Sequence, residues 1–543
     1  MEWLNTREGE RLGALGPAVD ALLADLVERD AVARIWGGDH TLWQEDPTEV
    51  ADRLGWLRVG TEVAAAHEDV GAVLHGRGQI AAAHEDLDRF AADVYAERYT
   101  DVLVMGMGGS SLFPEVVART FGRPDDRPRL AVLDSTDPAA VRRAREAVDL
   151  EHTLFVASSK SGSTLETASH LAYFWDAVGN PDQFTVVTDG GSALEATARE
   201  RGFRRIFVNR SDIGGRYSAL SYFGIVPAAL AGVDYLRLLR SAEVVAGQLG
   251  PDGDAIRNPG LRLGAVMAAA AKAGRDKLTL VLDPDVATFG LWLEQLIAES
   301  TGKQGTGVVP VAGEAVAEDI TVYGDDRLFV ALGWHPSLDE LADAGHPVVE
   351  LPYENAYGLG AQVLLWEFAT AVCGAGLGIN PFDQPNVAEA KAATNDVLAR
   401  VTGDEGDAAL AVEAVPLAGL LDQVRPGDYL AIHAYVDPED PVVARIDEER
   451  HALRDRLGVA TTLGVGPRFL HSTGQLHKGG PPSGVFVQVL DEHLPPDGGP
   501  AIPGQDFGFG TLIAAQAAGD LATLRAHGLR AGRVTLDDLL AAG

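Results

Sequence analysis

The chain has 543 residues, 46% of them apolar and 23% charged, with a formal net charge of −35. That length accommodates two or three domains with their own cores, and so strong a negative charge sets it against nucleic acid and anionic membranes as partners. A single cysteine, Cys373, excludes an internal disulfide and a cysteine-based metal cluster, and it suits a reducing, cytoplasmic setting.

The opening stretch "MEWLNTREGERLG" carries charge and no apolar run, so it reads as neither a signal nor a transit peptide. Residues 1–98 are predicted to be a helical segment, because "PAVDALLADLVERDAVARIW" and "EDLDRFAADVYAERY" place apolar residues three and four apart and no strand pattern interrupts them. From Asp101 the pattern changes to short apolar runs, "DVLVMGM", "RLAVLDS", "HTLFVASS", "QFTVVTD" and "RIFVNRS", alternating with stretches of helical period. That alternation predicts a parallel sheet wrapped by helices, an α/β unit over residues 99–235. A helical bridge, "YLRLLRSAEVVAGQLG" and "LRLGAVMAAAAKAG", leads into a second α/β unit predicted over 236–500. It holds the runs "KLTLVLDP", "GTGVVPV", "RLFVALGW" and "HPVVELP", and later "DYLAIHAYV", "ATTLGVG" and "SGVFVQVL". Residues 501–543 are predicted to form a C-terminal helical tail. The long apolar stretch "LGAQVLLWEFATAVCGAGLG" carries Glu367 at its middle and four glycines, which suits a buried core helix better than a bilayer span.

In open α/β sheets ligands bind where strands hand over to helices. Two such turns are rich in small residues. "MGMGGSSLFPE" (Met105–Glu115) has the outline of a dinucleotide fingerprint, with Ser111 at the third glycine position and Asp134 ending the next strand, so nicotinamide binding is one alternative. "SSKSGSTLET" (Ser158–Thr167) gathers Ser159, Ser161, Ser163 and Thr164 around Lys160 at a helix start, a composition suited to cradling phosphate; a plain serine-rich cap is the other reading. Lys160 is notable because the chain has only six lysines against 38 arginines, and lysine does what arginine does poorly, acting as a compact point charge or moving a proton.

"GGRYSALSYFG" sets Arg216 after two glycines. "LWLEQLIAESTGKQGTG" is predicted to be a helix with Phe289, Leu293, Leu296 and Ile297 on its core face and Gln295 and Glu299 on its flank, the latter a candidate proton-transferring base. "INPFDQPNVAEAKAATNDVL" puts Gln384 and Lys391 seven apart, on one face if the whole segment is helical. "RFLHSTGQLHKGGPPSG" combines two histidines with Lys478, but it has neither a metalloprotease signature nor a cysteine partner, and no metal is expected there.

Taken together, these stretches resemble the glucose-6-phosphate isomerases, members of the sugar isomerase (SIS) domain proteins. The resemblance runs from about Val102 to Lys391 through "GMGGSSL", "SSKSGSTLET", "GGRYS", "QLIAESTGK" and "INPFDQPNVAEAK", in the family's order. "RIWGGDHTLWQEDPTE" and "RFLHSTGQLHKGG" look more like the isomerase part of transaldolase fusions. The resemblance implies two SIS-type parallel-sheet units with a helical N-terminal segment and a C-terminal extension. It implies that Ser159, Lys160, Ser161, Ser163 and Thr164 hold a phosphate and that Ser110 helps bind the sugar. Glu299 would shuttle a proton between carbons 1 and 2, with Gln295 near the substrate and Arg216 stabilising an enediolate. Lys391 would assist ring opening and Gln384 would line the same pocket. No cofactor or metal is implied, since arginine does a Lewis acid's work. A cytoplasmic homodimer acting on a small sugar phosphate is the family expectation.

The chain departs from the family pattern at Thr301, where an asparagine is usual, and at Ala388, where a glutamate is usual and Glu389 follows one step later. The family's ring-opening histidine has no counterpart between Lys303 and Phe382. "HSTGQLH" looks like its setting but comes later in the chain, so a rearranged order is expected in which His471 fills the role, with His477 as the other candidate. The implied activity is interconversion of glucose 6-phosphate and fructose 6-phosphate. Alternatives are an isomerase that also takes mannose 6-phosphate, and a non-catalytic sugar-phosphate-binding SIS protein.

Overall fold

In the computed structural model, which describes residues 9–58, 77–492, 494 and 498–542, the strands form three sheets. The first contains β2 (Asp101–Met105), β3 (Arg129–Leu133), β4 (Thr153–Ser158), β5 (Phe184–Asp189) and β6 (Arg205–Asn209), all parallel in the order β3-β2-β4-β5-β6. All five are the apolar runs read from the sequence. Every residue of β2 and β4 is buried, as expected for strands covered by helices on both faces.

The second sheet has the order β1-β10-β9-β7-β8. Strands β7 (Lys277–Leu282), β8 (Val309–Val311), β9 (Arg327–Leu332) and β10 (Val348–Leu351) are parallel, and β1 (Glu10–Arg11) adds antiparallel to β10. No strand was expected before Asp101; β1 has only two residues, both polar, and exists through its pairing with Val348 and Val349 rather than through any period of its own.

The later runs form a third parallel sheet rather than extending the second. Its order is β12-β11-β13-β14, with β11 (Tyr429–Tyr435), β12 (Ala460–Val465), β13 (Gly484–Leu490) and β14 (Arg530–Arg533). The stretch 236–500 therefore holds most of two sheets, the second without β1 and the third without β14. The stretch 501–543 is not wholly helical: its "RAGR" supplies β14, four residues without an apolar run that pair with Val485–Gln488.

The predicted N-terminal helix is two, Gly16–Glu28 and Ala31–Gly37, broken where Asp30 takes a left-handed conformation (φ 52°). Val19, Leu23, Leu26 and Ile35 join the core around helix Leu359–Leu377, and Trp43 Nε1 donates to the Ala371 carbonyl at 2.8 Å. The segment Ala356–Leu377 is the one stretch among the described residues long and apolar enough to cross a membrane, and 94% of its apolar 18-residue window is buried inside the protein. Burial raises the Glu367 carboxyl at its middle well above the usual range, so that side chain is uncharged.

A second core lies on the other face of the first sheet. There Phe155, Phe174 and Phe184 pack with Val397 and Leu398 of helix Val387–Val401 and with Phe509 and Leu512 of helix Phe509–Ala526. The C-terminal helix is thus built into the first unit, an arrangement that decides the geometry of the site.

Candidate active site

In the first sheet β2 and β4 are neighbours from which the chain winds outward in opposite directions, a topological switch point where their carboxyl ends leave a crevice. The two small-residue turns leave from these ends. Gly108 (φ +54°) has no room for a side chain: a Cβ would lie 2.8 Å from both Gln295 Nε2 and the His471 carbonyl oxygen. At Gly109 a Cβ would come within 1.9 Å of the Gly215 carbonyl oxygen. The glycines therefore let this turn, which carries the buried Ser110, press against the turns holding Arg216 and His471.

After β4, Ser159 Oγ meets Thr164 Oγ1 at 3.2 Å and accepts from the Gly162 N–H at 3.1 Å, while Ser161 and Ser163 Oγ are 2.8 Å apart. Thr164 is the N-cap residue of helix Leu165–Val178, yet its side chain makes no capping bond. The helix start is left without a side-chain cap beside this ring of hydroxyls, an arrangement that favours an anion. The Lys160 side chain is not part of this ring. Its amine is paired with Asp189 at the end of β5 and donates to the Ser211 carbonyl at 2.9 Å, because the neighbouring strand presents a half-buried carboxylate within its reach.

Arg216 is 3% exposed and uses nearly all of its donors. Nε donates to Ser300 Oγ (2.7 Å), Nη1 to Gln384 Oε1 (2.9 Å), and Nη2 to the carbonyls of Pro381 (2.7 Å) and Asp383 (3.0 Å). Nη1 also lies 3.3 Å from Glu299 Oε1. The helix Phe289–Thr301 buries Phe289, Leu293, Leu296 and Ile297 as predicted and turns Gln295 and Glu299 inward, both buried. Gln295 Nε2 donates to Glu299 Oε2 (3.2 Å) and to the His471 carbonyl (2.9 Å). Lys303 donates to the Asp383 carbonyl and carboxylate, each at 2.6 Å. Burial, with Arg216 close by, pushes its amine down to about 8.

Gln384 and Lys391 do not share a helix face. The helix begins at Val387, because Gln384 precedes Pro385 and a residue before proline is kept out of the helical region. Gln384 stays with Arg216, and Lys391 is on the first turns of the helix, lining a cavity of about 290 Å³ with Ser163, Glu166, His471 and Gln516. His471 Nε2 meets Glu166 Oε1 at 2.8 Å. Burial alone would raise Glu166; His471 beside it and Lys391 across the cavity hold it down at about 2.

His477 lies elsewhere, 5% exposed and tilted against the His433 ring with centroids 4.6 Å apart, so the two histidines of "HSTGQLH" do not converge. Asp134, the carboxylate of the nicotinamide alternative, is bound two-pronged by Arg468 at 2.8 Å and 2.8 Å.

The structure thus gathers Arg216, Glu299, Gln295 and Gln384 on one side, and the cradle hydroxyls, Lys391 and His471 on the other, joined by the bond from Gln295 to His471. Sequence reasoning did not single out Glu166, although it stands within the quoted "SSKSGSTLET". Nor did it identify Gln516, 350 residues from Glu166 along the chain, for which no local pattern exists.

Residues 90–319 match the phosphoglucose isomerase family. The chain is 28% identical over 439 residues to a glucose-6-phosphate isomerase of Geobacter sulfurreducens, covering 67% of this chain and 81% of that protein. It is 33% identical over 281 residues to one of Geobacter sp., covering 50% of this chain and about half, 52%, of the relative. Among solved structures, a glucose-6-phosphate isomerase from Chlamydia trachomatis superposes with a TM-score of 0.59 at 20% identity, over 72% of this chain and 88% of that one. A hypothetical protein from Thermus thermophilus does so with a TM-score of 0.57 at 23% identity, over 73% of this chain and all of that one. These two likenesses speak for the fold. By these matches the chain is related to the phosphosugar isomerases and broadly similar to the glucose-6-phosphate isomerases.

Proposed function

We propose that the protein interconverts glucose 6-phosphate and fructose 6-phosphate through a cis-enediol. The observation that carries this reading is the contact of a buried guanidinium with a buried carboxylate, Arg216 Nη1 to Glu299 Oε1 at 3.3 Å, one hydrogen bond away from the segment that carries His471. The hydroxyl ring and the uncapped start of helix Leu165–Val178 would hold the phosphate. His471 and Lys391, on the cavity wall, would move the protons that open the sugar ring. Glu299 then takes the proton from carbon 2, and the electron pair passes to the carbon 1 oxygen. Returning that proton to carbon 1, while the carbon 2 hydroxyl proton is transferred to the carbon 1 oxygen, leaves the ketose. Arg216, already fixed by Ser300, Gln384 and two carbonyls, faces the enediolate charge with little reorganisation.

Purified protein in a coupled assay with glucose 6-phosphate tests the reading. Glu299→Gln is expected to lower kcat by roughly 10² to 10⁴, the usual worth of a general base, with little change in analogue binding. Activity within a few fold of the parent would assign the proton transfer to another group.

A further inference from the structure

Glu166 Oε1 receives two hydrogen bonds, one from His471 Nε2 at 2.8 Å and one from Gln516 Nε2 at 2.7 Å. Gln516 is on helix Phe509–Ala526, outside every stretch from which the site was read, and is 3% exposed. Its amide has one sensible orientation. A carboxylate accepts only, so the NH₂ must face Glu166, which leaves Oε1 toward Thr136, whose hydroxyl donates to it at 2.6 Å. Thr136 is fully buried in the loop after β3. The result is a linked set of bonds that converge on Glu166: Thr136 donates to Gln516, and Gln516 and His471 both donate to the carboxylate.

The acceptor role of Glu166 fixes the imidazole. With Glu166 as an ionised acceptor, His471 must present Nε2–H to it. Nδ1, which takes no hydrogen bond from the described residues, is then left as the basic nitrogen of a ring on the cavity wall. His170 does not compete for the carboxylate. One turn along the same helix, it bonds through Nε2 to the Ser135 carbonyl, and burial pushes it down to about 4, so it stays neutral.

We infer that Gln516, oriented by Thr136, is a positioning residue that holds Glu166 in the orientation keeping His471 in its Nε2–H tautomer. The C-terminal helix thereby sets the protonation geometry of the group that opens the sugar ring. The inference builds on the isomerase reading for its kinetic consequence but not for its tautomer.

The experiment uses the full chain, selectively ¹⁵N-labelled at histidine, as the parent, Gln516→Met, Thr136→Val and the double variant. Both substitutions nearly preserve volume. The His471 signal is identified by its loss in His471→Asn. The parent should show His471 in the Nε2–H form alone, and Gln516→Met a mixture of tautomers. With glucose 6-phosphate, Gln516→Met should lose roughly tenfold in kcat, about the worth of one hydrogen bond to a charged group, with KM within about twofold. Thr136→Val should lose about threefold alone and nothing further beside Gln516→Met, because it acts only through that amide. Losses that multiply, or a His471 tautomer unchanged in Gln516→Met, would overturn the inference and leave Gln516 a packing residue. A parent without isomerase activity whose His471 tautomer still responds would uphold the relay and sink the isomerase reading instead.

Discussion

Lys303 is an ammonium in a place that disfavours charge: 1% exposed, beside the Arg216 guanidinium, and balanced by Asp383. Its amine sheds the proton at about 8 in the folded protein, against an ordinary value of 10.5. Between those pH values the unfolded chain binds more protons than the folded one, so this residue's contribution to stability rises with pH. The ion pair that ties Asp383, and with it the loop under Arg216, lapses over the same interval. Stability and turnover are therefore expected to part company: kcat falls as pH rises through about 8 while the urea midpoint does not. Lys303→Met should give a low kcat that is flat from pH 7 to 9.5, and the parent should descend toward that value. A parent profile without an alkaline limb would mean the loop holds without the charge.

Among the elements, helix Phe509–Ala526 has two tasks, closing the second core and delivering Gln516. Phe509 is fully buried and stacks on His170, ring centroids 5.6 Å apart. Phe509→Ala should cost about 3–5 kcal/mol, as truncating a buried phenylalanine does, read as a lowered urea midpoint. It should also lower kcat beyond what stability explains, because the helix loses its seat beside Glu166. A variant destabilised to that degree with kcat intact would separate the two tasks. The same helix shows what could be read in advance. Strands such as "TLFVAS" announced themselves because a strand covered on both faces must be apolar throughout. The glycine turns and the helix flank bearing Gln295 and Glu299 followed from residue type and spacing. Strand β14 did not, since "RAGR" is a strand only by virtue of its neighbour. Glu166 was masked by being an ordinary acidic residue in a first helical turn, and the turn of Lys160 toward Asp189 depends on which strand lies beside β4. Gln516 sits in an alanine-rich helix where nothing local distinguishes a relay from a core amide.

For the molecule as a whole, a net charge of −35 opposes any phosphorylated ligand, so the cradle must overcome the field of the entire protein. A ligand that binds only the folded state stabilises it by about 2.7 kcal/mol at a hundred times its Kd. 6-Phosphogluconate should therefore raise Tm, with a smaller rise at low ionic strength where the repulsion is least screened, and gluconate should do little. An equal shift from gluconate would place the binding energy in the sugar rather than in the hydroxyl ring.

The three sheets also impose a timetable on synthesis. The cradle, Ser159–Thr164, leaves the ribosome roughly 300 residues ahead of His471 and still further ahead of Phe509. At about 5–20 residues per second that interval is roughly 15 to 60 s. Throughout it the face of the first sheet carrying Phe155, Phe174 and Phe184 has no Phe509 or Leu512 to cover it. The nascent chain thus carries a sticky, half-finished surface for tens of seconds, and it is in that window, rather than after release, that the protein most needs a chaperone's company.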